Sequence, residues 1–248
     1  MSHPTDPTLA HVRVTLLQAR AEPYIQQQEV DCFAERSGIT ADQITTVSVL
    51  ADDLGDALLA DCDALLIGGA GAFDAWREYD WMPHLLALAQ TAVERQLPTF
   101  GSCWGHQILA RALGGEVQHD GEKAEMGTLY VDLTEAGAAD SLLGTLPRRF
   151  LANQGHHDRV TTLPPGAIEL AISDTQPHQS FRMPDAPVYG TQFHPELDAA
   201  RERERLIFYR DHYPEGGDDA AFAATLAALH DTTHADDLLR TFLRLYAA

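Results

Sequence analysis

At 248 residues, with 45% apolar and 22% charged side chains, the chain is long enough for one substantial domain and ordinary enough in composition to bury a core. A formal charge of −20, from 37 acidic against 17 basic residues, repels phosphate backbones and argues against a nucleic-acid partner. No run approaches the roughly 20 apolar residues that cross a bilayer, and Met1–Pro7 lacks a basic-then-apolar leader, so a frayed N-terminus on a cytoplasmic protein is expected.

Val12–Gln18 reads as a strand, Glu22–Ser37 as a helix, Thr45–Leu50 as a strand and Asp53–Ala60 as a short helix. Ala64–Ile67 is an apolar strand running into Gly68-Gly69. Trp81–Arg95 carries Leu85, Leu86, Leu88, Ala89, Ala92 and Val93 at helical spacing. Leu97–Phe100 is a further strand, and the helix after it stops at Gly114-Gly115. This alternation predicts an α/β fold with a mostly parallel central sheet and helices on both faces. Beyond residue 115 the runs shorten: Thr128–Leu133, Arg149–Ala152, Arg159–Leu163, Ile168–Ile172 and Pro187–Phe193 predict antiparallel strands added at one edge. A long helix is expected from Ala199, and two more over Asp218–Ala248. The expected organisation is a domain over 1–211 with a helical C-terminal extension over 212–248 packed on it, the alternative for that extension being a dimer or partner surface.

Between the fourth predicted strand and its helix lies Gly101-Ser102-Cys103-Trp104-Gly105-His106-Gln107. A cysteine flanked by glycines at a strand-to-helix turn is the pattern of a nucleophile elbow. The glycines leave space where side chains would collide. The helix N-terminus favours the thiolate, and the next N–H is placed to bind an oxyanion. Cys32 and Cys62 lie far away in helical or helix-edge segments and read as small buried hydrophobes; three dispersed cysteines make neither a disulfide framework nor a zinc site. A thiol nucleophile needs a base and an orienter. In Phe193-His194-Pro195-Glu196 the histidine and glutamate leave an extended segment on one face, so that Glu196 can accept a hydrogen bond from one imidazole nitrogen while the other faces Cys103.

Together these residues resemble the class I glutamine amidotransferase family, which carries G-x-C-x-G-x-Q followed by F-H-P-E; the resemblance runs from about Val12 to Asp211 and is nearest to stand-alone members related to the amidotransferase domain of GMP synthase, some of which are γ-glutamyl peptidases. It implies a flavodoxin-like fold and a Cys103-His194-Glu196 triad. Cys103 would attack the γ-carbonyl and His194 would move the proton. The resemblance further implies an oxyanion hole from the N–H groups of Gly69 and Trp104, and substrate contacts from Gln107, His156 and Asp158. Two segments depart from the pattern. Ala70-Gly71-Ala72-Phe73 stands where proline and serine commonly follow the glycine pair, and Gly155-His156-His157-Asp158 where S-H-G-D is common. Both bear on specificity more than on the triad.

His156 and His157 are neighbours on a strand and point to opposite faces, so no metal site is expected. His84, His119 and His178 read as surface or packing residues. No Walker-type or G-x-G-x-x-G loop is present, and no cofactor is expected. Three functions remain in view: a glutaminase passing ammonia to a synthetase subunit on another chain, a free-standing hydrolase of γ-glutamyl compounds, and a catalytically silent scaffold, which the intact triad disfavours.

Overall fold

A computed structural model describes residues 4–51 and 53–248. Its first half alternates strand and helix: β1 (Val14–Gln18), α1 (Pro23–Ser37), β2 (Ile44–Ser48), β3 (Ala64–Ile67), α2 (Met82–Glu94), β4 (Thr99–Ser102) and α3 (Trp104–Ala112). The second half supplies β5 (Glu116–His119), β6 (Glu125–Leu133), α4 (Glu135–Ala138), β7 (Arg149–His156), β8 (Asp158–Thr162), β9 (Ile168–Ser173), β10 (Ser180–Arg182) and β11 (Val188–Thr191). Helices α5 (Ala199–Phe208), α6 (Asp219–Ala227) and α7 (Leu238–Tyr246) follow.

Among the described residues nine strands form one sheet in the order β2-β1-β3-β4-β11-β10-β9-β6-β7. The strands from β2 to β11 in that order are parallel, and β10, β9, β6 and β7 extend the sheet antiparallel. The parallel part has the flavodoxin-like 2-1-3-4-5 order, with β11 as its fifth strand. The predicted α/β architecture, antiparallel edge included, is the one the chain adopts. β5 and β8 pair separately.

Cross-strand register sorts the core. Leu16, Leu66, Phe100 and Tyr189 are aligned across four parallel strands and enter one core with Phe33 of α1 and Leu239 and Phe242 of α7. Leu17, Leu65, Ile67 and Val188 are offset by one residue. They face the other side and pack with Leu85 and Leu88 of α2 and Ile108 and Leu109 of α3. Gly38 ends α1 at φ 70°, a left-handed cap that lets its N–H reach the carbonyls of Ala34 and Glu35.

Several expectations need adjusting. The helix expected over Asp53–Ala60 is a 3-10 turn, Asp56–Leu59. β5 and β10 were not predicted: β5 buries only Val117, and β10 is three residues long. The frayed tail expected over Met1–Pro7 lies partly outside the described residues; from residue 6 the chain is held, with Asp6 capping the turn Pro7–Leu9 and paired with Arg244. Cys62 is half-buried, with its thiol toward the Leu58 carbonyl.

The C-terminal segment enters the core. Leu238, Leu239, Phe242 and Leu243 are fully buried, and Arg36 pairs with Asp236 at 2.5 Å. Phe242 meets Phe100 edge-on at 5.4 Å and Tyr246 at 5.5 Å. Phe242→Ala is expected to cost about 3–5 kcal/mol by urea unfolding. A loss below about 1 kcal/mol would show α7 to be loosely docked.

Candidate active site

The turn after β4 is set by steric exclusion. A Cβ on Gly101 would overlap the backbone of Gly105, and one on Gly105 would overlap the carbonyl of Ile67. β3, β4 and α3 therefore approach one another as closely as bare backbone allows. Cys103, between the two glycines, takes φ 52° and ψ −103°, a conformation that costs about 1–3 kcal/mol in a non-glycine residue. Two hydrogen bonds hold the turn: the Cys103 N–H donates to the Thr191 carbonyl (2.8 Å) and that of Gly105 to the Gly68 carbonyl (3.1 Å). The backbone N–H of Trp104 has no acceptor among the described residues. His106, within the same motif, is fully buried against Phe181, and burial drives its pKa down to about 3. It is a neutral packing residue.

His194 and Glu196 follow β11, the strand paired with β4. His194 Nδ1 lies 2.8 Å from Glu196 Oε1, and His194 and Cys103 border one small recess. Glu196 is fully buried, which by itself would raise its pKa. The neighbouring His194 outweighs that, assisted by Arg205 (3.7 Å) and the Ser102 hydroxyl (2.6 Å), and brings it down to about 2. Burial likewise opposes a charge on His194, but the neighbouring Cys103, Glu196 and Glu202 raise its pKa well above 6.5.

In front of Cys103 opens a cavity of about 340 Å³ at the carboxyl ends of β3 and β4, the usual ligand position in such sheets. Gln107, His156 and Asp158 line it, with Phe73, Trp76 and Tyr213. Each of the first three is already tied to the protein. Gln107 Nε2 donates to the Asp158 carbonyl (2.8 Å) and to Gln192 Oε1 (3.0 Å). His156 sits between the Asp158 carbonyl (2.9 Å) and Glu125 (3.2 Å). The Asp158 carboxyl, its pKa raised by burial, contacts His119 Nδ1 at 2.9 Å. His119, expected as a surface or packing residue, is thus part of the cavity wall. Gly69, expected in the oxyanion hole, lies just past the end of β3. Its N–H donates to the buried Glu29 carboxylate at 3.3 Å and so already has an acceptor.

Sequence reasoning passed over three contributors. Gln192 Nε2 lies 3.6 Å from Cys103 Sγ; its place two residues before His194, on the same face of an extended segment, was the available signal. Glu202 and Arg205, in the helix expected from Ala199, are both buried. Cys32 is fully buried, and burial pushes its thiol up to about 12. Among the described residues no cluster of His, Cys, Asp and Glu is arranged for a metal ion, and no helix is long and apolar enough to cross a membrane.

Residues 37–211 match the family described as glutamine amidotransferase class-I. One subunit of the glutamine-hydrolyzing GMP synthase of Pyrococcus abyssi is 36% identical over 114 residues, 46% of this chain and 58% of that protein. Its counterpart in Methanosarcina barkeri is 33% identical over 153 residues, 61% of this chain and 74% of that one. For Pyrococcus furiosus the covered share is 53%, so the chain spans little more than half the length of several relatives it matches. Two solved glutamine amidotransferases share the fold. That of Thermotoga maritima has a TM-score of 0.69 at 20% identity, covering 96% of this chain and 98% of its own. That of Methylobacillus flagellatus has 0.68 at 20%, covering 95% of each.

The depressed pKa of Glu196 has a consequence for stability. Its contribution is complete above the unfolded value of 4.5 and is lost as pH falls through about 2. Glu196→Gln should be less stable than wild type by on the order of 3 kcal/mol near pH 6. That gap should narrow steadily below pH 4.5 in urea titrations. A gap independent of pH would contradict the assignment.

Proposed function

The chain belongs to the class I glutamine amidotransferase family, and we propose that it is a cysteine-dependent glutaminase acting through a Cys103-His194-Glu196 triad. The observation that carries this reading is the imidazole of His194, which pairs with Glu196 at 2.8 Å and borders one recess with Cys103. Cys103 Sγ attacks the γ-carbonyl of glutamine, or of another γ-glutamyl amide, and the thiol proton passes to His194. The carbonyl oxygen, now negative, receives the N–H of Trp104. Gly69 becomes the second donor when the substrate displaces its long bond to Glu29. His194 gives its proton to the leaving amine, ammonia in the case of glutamine, and a γ-glutamyl thioester remains. Water then cleaves the thioester with His194 as base, releasing glutamate. Glu196 fixes the imidazole, and Gln107, His156 and Asp158 bound the space for the amino-acid end of the substrate.

The relatives are named as one subunit of GMP synthase, and this favours a synthetase on another chain as the receiver of ammonia. A cytoplasmic setting, where thiols stay reduced, suits a free Cys103.

Ammonia release from glutamine, measured beside amine release from γ-glutamyl peptides, tests the reading. Cys103→Ala should lower turnover by three or more orders of magnitude, and Glu196→Gln by roughly 100-fold with measurable activity left. Cys32→Ala should stay within about twofold of wild type. Equal losses in Cys32→Ala and Cys103→Ala would overturn the choice of nucleophile. Cleavage of γ-glutamyl peptides without ammonia release from glutamine would make the enzyme a γ-glutamyl hydrolase.

A further inference from the structure

On the His194 side of Cys103 lies a second, much smaller recess of about 20 Å³. It is bordered by Cys103, His194, Gly155, Glu202, Arg205 and Tyr213. That volume suits one water-sized molecule. Glu202 is only 3% exposed, yet its carboxylate has no hydrogen-bond or ion-pair partner among the described residues. Arg205 is equally buried. Its Nη1 stands 3.7 Å from Glu196 and 3.8 Å from Glu29, and neither Nη1 nor Nη2 has a hydrogen-bond acceptor. Buried polar groups are nearly always satisfied, so an acid and a guanidinium left open beside one small recess point to an occupant that both donates and accepts.

Glu202 reaches this position because residue 155 is glycine. A Cβ there would lie 2.5 Å from Glu202 Oε1. The departure at Gly155 noted in the sequence and the buried acid are two sides of one arrangement.

We propose that Glu202 is a positioning residue that holds, beside His194, the water that cleaves the thioester on Cys103; this rests on the reading of Cys103 as an acylated nucleophile. His194 gives a proton to the departing amine and takes one from the incoming water, so both pass on the imidazole's side. His194 borders the small recess and does not line the larger cavity. The water donates one hydrogen to Glu202, accepts from Arg205 and presents its other hydrogen to His194. As its oxygen bonds to the thioester carbon, that hydrogen moves to His194. The carbon–sulfur bond then breaks, and the proton returns to Sγ. Glu202 is unchanged by the cycle. Its role is orientation.

p-Nitrophenyl acetate isolates this step, since it acylates the thiol without requiring the natural substrate. Wild type, Glu202→Gln and Glu202→Leu should show bursts of p-nitrophenolate with similar rates. The steady phase, limited by deacylation, should slow about tenfold or more in both variants. Hydroxylamine, a stronger nucleophile, should bring the three to within about twofold of one another. Glu202→Gln should melt within a few degrees of wild type, because the Glu202 carboxylate makes no hydrogen bond among the described residues that the change would break. An unchanged steady phase in Glu202→Gln, or burst and steady phases falling by the same factor, would overturn the proposal. Ammonia release from glutamine by the wild type is read separately. Its failure counts against the glutaminase reading alone and leaves the ester kinetics to decide the role of Glu202.

Discussion

The carboxylate of Glu196 is the point at which the site is pinned together. It accepts from Ser102, the residue before the sulfur, and from His194, two residues back along its own segment. β4 and β11 are neighbours in the parallel sheet, so this one fully buried group joins the ends of both strands and sets the imidazole against the thiol. A buried carboxylate is tolerable only where cations and hydrogen-bond donors surround it. His194, Arg205 and the Ser102 hydroxyl supply them.

The need for compensation spreads outward. Arg205 also lies near Glu29, which pairs with Arg20 at 3.1 Å and accepts from Gln18 at 3.1 Å. Glu29 then takes the N–H of Gly69, and a Cβ on Gly68 would lie 2.8 Å from its carboxyl. A chain of alternating charge thus runs from the orienting acid to the loop after β3. Its elements arrive from α1, β1 and α5, which explains why the glycine-pair loop is held by side chains remote in sequence.

These relations mark how much the sequence displayed. The turn at Cys103 was legible because its chemistry needs a local pattern: small residues at fixed offsets between a strand and a helix. Phe193-His194-Pro195-Glu196 was legible for the same reason, since orienter and base share one short segment. The parallel half of the sheet showed itself in apolar runs such as Ala64–Ile67. Features that depend on distant pairing did not show. The His119–Asp158 contact exists because β5 and β8 pair in that register. β5 itself has a single buried residue and offered no apolar signal. Glu202 and Arg205 sit in a run of alternating charges, and contacts remote in sequence make them interior, Glu202 beside Gly155 at the end of β7 and Arg205 against Gln28 of α1. The engagement of the Gly69 N–H by Glu29 was likewise invisible, because backbone donors leave no trace in residue identity.

The division between legible and hidden parts follows a division of labour. The residues proposed to form and break bonds stand on the parallel strands and the turns at their carboxyl ends. Groups that surround the reacting atoms come from additions to that frame: Gly155 and His156 from the end of β7, Asp158 from β8, Glu202 from α5, and Tyr213 from the chain beyond it. These additions change shape at little cost to the sheet, as the exchange of space between Gly155 and Glu202 illustrates. A small residue at one position admits a charged group from another, and the surroundings of the sulfur change while its own geometry stays fixed. On the proposed mechanism, the surroundings of the sulfur are thus set by contacts between elements far apart in the chain, and the reaction itself by a few residues close together.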